Sequence, residues 1–181
     1  MTTWVFDFFH NENVFSLGVC NGCQTFSLLK SLIPGATNWP VFKRNKSEKF
    51  EARLVQVSVR ESPSIFFKDM GDSIITVPVA HGEGRVDASM TVISELNKNH
   101  HTTITYSNNK GELTEEYPAN PNGSLNGIAG VTNNSGTVTI MMPHPERVFR
   151  KVQLSWHRKD WNEYSPWMQI FINAKKFSDK N

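Results

Sequence analysis

Hydrophobic residues near the start of the chain follow two different spacings. Residues 14–19 (VFSLGV) are mostly apolar over a short run, which is typical of a buried strand. Between residues 21 and 33 the apolar positions recur every three or four residues, which predicts a helix ending before Pro34. Residues 4–9 fit the last turns of an amphipathic helix, although a period of two fits them almost as well. The beginning of the chain therefore predicts a strand, a sharp turn and a helix.

The remainder of the chain is richer in strand patterns. Apolar and polar residues alternate over 50–60, as expected for a strand with one buried face. Near the C-terminus, Ser165 can cap a helix whose first position suits Pro166. Further strands are predicted over 73–80, 102–107, 128–132 and 137–142, and a short helix over 91–97. This mixture of helices and strands predicts an α/β fold.

Length and charge narrow the class of protein. The chain has 181 residues, which fits one domain over 1–181, and its net charge of +2 gives no reason to expect a nucleic-acid or membrane partner. No apolar run approaches the ~18 residues needed to cross a membrane. The two cysteines lie three positions apart and cannot form a disulfide framework, so we expect a reducing, cytoplasmic location.

The segment Gly18-Val19-Cys20-Asn21-Gly22 lies between the first predicted strand and its helix. Its spacing is that of a nucleophile elbow, with cysteine at the position of the nucleophile. We expect glycines two residues on either side because other side chains would clash in so tight a turn. A helix N-terminus also favours a thiolate and offers free N–H groups to a developing oxyanion. The elbow therefore predicts a nucleophilic Cys20.

Three other interpretations of Cys20 stay open at this stage. It could be a small buried apolar residue at the end of a strand. Together with Cys23 it forms a C-x-x-C pair, which is also found in redox dithiols and as half of a zinc site. The zinc interpretation needs two more ligands, and the sequence contains no further cysteine.

The segment Pro143-His144-Pro145-Glu146-Arg147 contains a base and an acceptor that can orient it. A residue before proline prefers an extended conformation, so His144 and Glu146 are expected to project to the same side. A carboxylate oxygen of Glu146 could then hold a ring N–H of His144. The alternative is an ordinary proline-rich turn after a strand.

Together, these two motifs resemble the signatures of class I glutamine amidotransferases. Within that family the similarity is greatest to the glutaminase domains of the long single-chain phosphoribosylformylglycinamidine synthases, and it covers essentially all 181 residues. The further segments that carry it are His81-Gly82-Glu83-Gly84-Arg85, residues 117–124 (YPANPNGS) and the tail from Trp156 to Trp167.

The resemblance implies a flavodoxin-like α/β sheet and a Cys–His–Glu triad. Cys20 would attack the side-chain amide of glutamine. His144 would protonate the leaving ammonia and then activate water, and Glu146 would orient His144. The resemblance also implies substrate-binding roles for Asn21, whose N–H would be an oxyanion donor, for Gln24, and for the backbone around His81 and Gly82.

The sequence around His81 has two interpretations of its own. If the segment is extended, His81, Glu83 and Arg85 share a side and could form one wall of a site. The alternative is a polar turn made by the two glycines.

The resemblance also implies partners. Besides glutamine, these are the synthetase domains of the same enzyme, which would use the ammonia to convert formylglycinamide ribonucleotide to its amidine in purine synthesis. ATP and magnesium are expected in those domains, and no cofactor or metal is expected in this chain.

One departure from the family pattern bears on activity. Family members have further strands and helices before the elbow, including a Gly-Gly loop that gives a second oxyanion donor, so the domain is interpreted as partial at its N-terminus. On this basis we expect the chain alone to be a poor glutaminase and to be unstable or oligomeric.

Two alternative functions stay open for this sequence. One is a catalytically silent docking domain, and the other is a C-x-x-C redox module.

Overall fold

The computed structural model describes residues 2–180, so the two ends of the domain predicted over 1–181 lie outside it. Within residues 2–180, no helix is both long enough and apolar enough to cross a bilayer. The helices and strands in chain order are α1 (Thr2–His10), β1 (Ser16–Val19), α2 (Asn21–Leu28), β2 (Val41–Arg44), β3 (Glu51–Val59), β4 (Ile74–His81), β5 (Glu83–Asp87), α3 (Met90–Lys98), β6 (Thr102–Ser107), β7 (Ile128–Thr132), β8 (Val138–Met141) and α4 (Met168–Ser178).

A mixed, curled sheet of six strands organises the fold, in the order β1-β8-β7-β6-β3-β4. Strands β1 and β8 run parallel, and the other neighbouring pairs are antiparallel. A second sheet consists of β2 and β5, which pair antiparallel. The predicted α/β class is confirmed.

Two hydrophobic cores lie on opposite faces of the large sheet. Alternation along β8 explains this arrangement, because Val138 and Ile140 face one core while Met141 faces the other. Helices α2 and α3 cover the first face, and α4 covers the second with Trp167, which is fully buried.

The outer edge of β4 is covered by residues from the C-terminal half of the chain. The backbone N–H of His144 donates to the carbonyl of Pro78 at 2.8 Å. The indole N–H of Trp167 donates to the carbonyl of Thr76, also at 2.8 Å. Pro78 has no N–H of its own and is tolerated because β4 is at the edge of the sheet. The curl of the sheet therefore brings β4 against the segment that follows β8.

One predicted helix differs from the structure, and two short strands were not predicted. The helix predicted over 21–33 ends at Leu28, and a 3₁₀ turn at Lys30–Leu32 follows. The turn redirects the chain so that Ile33 and Trp39 enter the core, where both are buried. The strands β2 and β5 were not predicted, because their sequences are short and largely polar.

Candidate active site

Cys20 occupies a strained turn between β1 and α2. Its φ of 53° and ψ of −107° lie outside the conformations common for residues with a side chain. Two backbone hydrogen bonds hold the turn: the Cys20 N–H donates to the Met141 carbonyl at 2.9 Å, and the Gln24 N–H donates to the Cys20 carbonyl at 3.0 Å. Cys20 is thus held at the N-terminus of α2, where the first N–H groups of the helix have no intrahelical acceptor.

The two glycines of the elbow have different roles. A Cβ at Gly18 would lie 2.8 Å from the carbonyl oxygen of Gly22 and 3.0 Å from the ring of Phe26, so no larger residue fits there without a shift. A Cβ at Gly22 would meet nothing within 4 Å. The steric prediction is therefore correct for Gly18 and wrong for Gly22, whose own Cβ position points into open space.

The side chain of His144 contacts that of Glu146, as the motif predicted, but the backbone conformation that brings them together differs from the predicted one. His144 Nδ1 is 2.7 Å from a carboxylate oxygen of Glu146. The expected extended conformation is wrong, because Pro145–Arg147 forms a 3₁₀ turn that begins after His144. Proline suits the first position of such a turn, and the tight turn brings the Glu146 side chain back to the imidazole.

The charges around His144 favour its protonated form. The Cys20 side chain, followed by the hydrogen bond to Glu146, raises the pKa of His144 to about 9. Burial acts to raise the pKa of Glu146, but the hydrogen bond to His144 and nearby positive charges outweigh it and lower that pKa. The buried Nε2 of His144 has no well-formed hydrogen bond to any residue in the range 2–180, so this nitrogen remains available for proton transfer.

A cavity of about 490 Å³ joins these groups to a second set of residues. Its lining comprises Val19, Cys20, Asn21, Gln24, Phe50, Ala80, His81, Gly82, Glu83, His144 and Arg147. Every residue predicted for catalysis or substrate binding lines this cavity except Glu146, which lies behind His144. The sequence suggested that Arg85 could form one wall of the site together with His81 and Glu83. Arg85 does not line the cavity, and its guanidinium Nε–H donates to the carbonyl of Arg44.

His81 is a neutral imidazole packed beside the site. Burial is the main reason that the pKa of His81 falls to about 4, and the neighbouring His144 also lowers it. Neither of its ring nitrogens has a hydrogen-bond partner in the part of the chain that the structure describes. The Nδ2 of Asn45 donates to the His81 carbonyl at 2.8 Å, and its Oδ1 accepts from the Gly84 N–H at 3.1 Å. Asn45 thus fixes the turn that lines the cavity.

The sequence motifs did not identify every residue of this cavity. Phe50 and Arg147 line it, and Asn45 supports it from behind. Arg147 lies within the histidine motif, so its position was a usable signal. Nothing in the local sequence of Asn45 or Phe50 indicated a site, because strand pairing brings them there.

Cys23 differs sharply from Cys20 although it lies one helical turn away. It is fully buried in the core, and burial raises the pKa of its thiol well above the ordinary value. A neutral, inaccessible thiol is a poor partner for reversible disulfide exchange. Among residues 2–180, no cluster of three or more His, Cys, Asp or Glu side chains has an arrangement suited to a metal ion.

A comparison with protein families decides the classification. The family model for the CobB/CobQ-like glutamine amidotransferase domain matches residues 2–178. The chain belongs to this family. Both the elbow, residues 18–22, and the histidine motif, residues 143–147, lie inside the matched region of this glutamine amidotransferase domain.

The fold of this amidotransferase domain is similar to that of solved structures. One is a chain of the PurLQS structure from Thermotoga maritima, with a TM-score of 0.62 and 23% identity over 89% of this chain. Another, from Thermoplasma acidophilum and assigned to a GMP synthase, has a TM-score of 0.54 and 14% identity over 99% of this chain. The chain spans 60% and 64%, respectively, of the lengths of these two proteins.

Proposed function

We propose that this domain hydrolyses glutamine through Cys20, His144 and Glu146 and delivers the ammonia to a synthetase partner. One observation carries the proposal. Cys20 lies on a strained turn at a helix N-terminus and lines the same cavity as His144, whose other ring nitrogen is held by Glu146 at 2.7 Å. A nucleophile, a base and an orienting carboxylate are the parts that covalent acyl transfer requires.

In the first half of the reaction, the Cys20 sulfur attacks the side-chain amide carbon of glutamine. The amide oxygen becomes an oxyanion, and the N–H of Asn21 at the start of α2 is the donor that we assign to it. The protonated His144 ring transfers a proton to the amide nitrogen. The carbon–nitrogen bond then breaks, ammonia leaves, and a γ-glutamyl thioester remains on Cys20.

In the second half, water hydrolyses the thioester. His144, now neutral, takes a proton from the attacking water, and the carbon–sulfur bond breaks to release glutamate and the Cys20 thiolate. Glu146 keeps the ring oriented and stabilises its positive charge through both halves. Gln24 and the backbone of His81 and Gly82 are assigned to holding the substrate.

We further propose that the synthetase is of the phosphoribosylformylglycinamidine synthase type. The motifs outside the catalytic ones, together with the structural likeness to the PurLQS chain, support this assignment. The ammonia would replace the amide oxygen of formylglycinamide ribonucleotide, and ATP and magnesium would be used in the synthetase domains. This domain itself is proposed to need no cofactor or metal.

The test separates the glutaminase from the synthetase reaction in a complete enzyme that contains this domain. We expect Cys20→Ala to reduce glutamine-dependent synthesis to background while free ammonia still supports synthesis. Product formation with each nitrogen source is the measurement. Cys23→Ser is the matched control and should retain most of the glutamine-dependent activity, because Cys23 does not line the cavity.

Two outcomes would contradict the proposal. Loss of the ammonia-dependent reaction in a folded Cys20→Ala enzyme would show that Cys20 does not act only on glutamine. A loss in Cys23→Ser as large as that in Cys20→Ala would favour a dithiol mechanism instead.

A further inference from the structure

A second cavity lies at the end of the large sheet that is remote from the candidate active site. Strand β3 begins at Glu51, which pairs with His81, and runs for nine residues, or about 25 Å, before the loop of residues 61–69 that lines this cavity. The C-terminal end of α4 forms the other wall, and the volume is about 520 Å³. None of the lining residues also lines the cavity at Cys20, so the two cavities are separate.

The side chain of Asn173 on α4 fixes the loop of residues 61–69 against the helix. Its Nδ2 donates to the carbonyl of Phe66 at 2.9 Å and to the carbonyl of Lys68 at 2.7 Å, and the side chain is buried. On the far side of the loop, the Ile65 N–H donates to the carbonyl of Gly136 at 3.0 Å. Both walls of the cavity are therefore held in place without a ligand, as in most small-molecule sites.

Three lysines line the cavity from its two walls. Lys68 belongs to the loop, and Lys176 and Lys180 lie four residues apart at the C-terminal end of α4. Residues four apart share a face of a helix, so the two ammonium groups project to the same side. Among residues 2–180, no carboxylate forms an ion pair with any of the three lysines.

The acidic residues of the lining do not neutralise this charge. They are Glu61 and Asp69, so three lysines against two acids leave an excess of one positive charge. The Glu61 carboxylate lies over Gly71, which is outside the lining. An anion that enters the cavity therefore meets ammonium groups on both walls.

Two further groups suit the other parts of an anionic ligand. The ring of Phe177 is half-buried and packs edge-on against Phe15, with 5.4 Å between the ring centroids, so it offers a fixed surface on which an aromatic ring can stack. The buried Oγ of Ser62 has no hydrogen-bond partner among residues 2–180, and a phosphate oxygen would be the acceptor that it lacks. The cavity volume is within the range of roughly 300–1,000 Å³ that is usual for small-molecule sites, and it is larger than inorganic phosphate alone requires.

We propose that this cavity binds a nucleotide-like ligand, a phosphorylated small molecule that carries an aromatic ring. The phosphate lies between the three lysines, and the ring packs against Phe177. This site is independent of the proposed glutamine hydrolysis, because it uses none of the residues assigned to that reaction.

The test measures the binding of adenosine monophosphate (AMP) to the full chain by isothermal titration calorimetry. Inorganic phosphate and adenosine are the comparison probes, since each carries only one of the two recognised groups. We expect AMP to bind at one site per chain and at least about tenfold more tightly than either probe. Added salt should weaken the binding of AMP and leave that of adenosine unchanged.

Three variants locate the site. Lys176→Gln should weaken AMP binding about tenfold and leave adenosine binding unchanged. Lys175→Gln is the matched control and should bind AMP as the wild type does, because Lys175 pairs with Asp179 and does not line the cavity. Phe177→Leu should weaken AMP and adenosine about tenfold but leave phosphate binding unchanged, which also shows that the variant is folded.

Three results would overturn the proposal. The first is that AMP does not bind the wild-type chain. The second is that Lys175→Gln weakens AMP binding as much as Lys176→Gln does, since the charge of the helix end rather than the cavity would then be responsible. The third is that phosphate binds as tightly as AMP, because the ring would then contribute nothing.

Discussion

At the scale of single residues, the thiols of Cys20 and Cys23 differ because their surroundings differ. Cys20 lines a cavity beside His144, whereas Cys23 is enclosed by core residues and has a raised pKa. The sequence predicted a nucleophilic role for Cys20, and not for Cys23, from the flanking glycines. It could not show that Cys23 is buried, because the burial depends on residues distant in the chain, such as Trp39 and Ile140.

The raised pKa of His144 leads to a prediction about pH. Its folded pKa is about 9 and its ordinary value is 6.5, so the folded state holds the proton more tightly than the unfolded chain. The resulting stabilisation is fully present below pH 6.5 and is lost as the pH rises through about 9. We expect the difference in free energy of unfolding between the wild type and His144→Gln to shrink over this range, as measured by urea denaturation.

Titration of the His144 ring by NMR provides the control. Cys20→Ala should lower this pKa more than Glu146→Gln does, because the Cys20 side chain is the larger of the two causes. A ring that titrates near its ordinary value in the wild type would contradict the prediction.

At the scale of elements, long periodic segments were predictable and short polar ones were not. β3 and β4 were recognised because alternation extends over eight or more residues. β2 has four residues and β5 has five, and they form only because each pairs with the other. The contact between His144 and Glu146 was foreseen, yet the 3₁₀ turn that makes it was not, since proline is compatible with both an extended end and the first residue of a turn.

The two glycines of the elbow give a matched pair of substitutions. Gly18→Ala should destabilise the protein by about 1–3 kcal/mol, because its Cβ would collide with the backbone of Gly22. Gly22→Ala should be neutral or stabilising by up to about 1 kcal/mol, because Gly22 is in α2 and its Cβ would point into open space. Urea unfolding of both variants is the measurement, and equal destabilisation by the two would be inconsistent with this geometry.

At the scale of the whole molecule, the sheet curls until its two outer strands meet at the candidate active site. Cys20 follows β1 at one edge, and its thiol lies 3.8 Å from the Ala80 carbonyl of β4 at the other edge. The sequence predicted the strands, but their order and curvature depend on long-range pairing that no local pattern encodes.

The candidate site lies where the two outer strands of the sheet, β1 and β4, meet, and few hydrogen bonds hold β4 in place there. The His144 N–H and the Trp167 indole N–H close this seam, whereas β6 and β7 are paired on both sides in the middle of the sheet. Local opening costs less free energy than global unfolding where fewer bonds must break. We expect hydrogen exchange at the His144 amide and the Trp167 indole to share one opening free energy, lower than that of the Ile104 and Val131 amides. Warming should therefore move the cavity wall formed by Ala80, His81 and Gly82 away from Cys20 and His144, which stay joined through the pairing of β1 with β8, while the rest of the molecule is still folded.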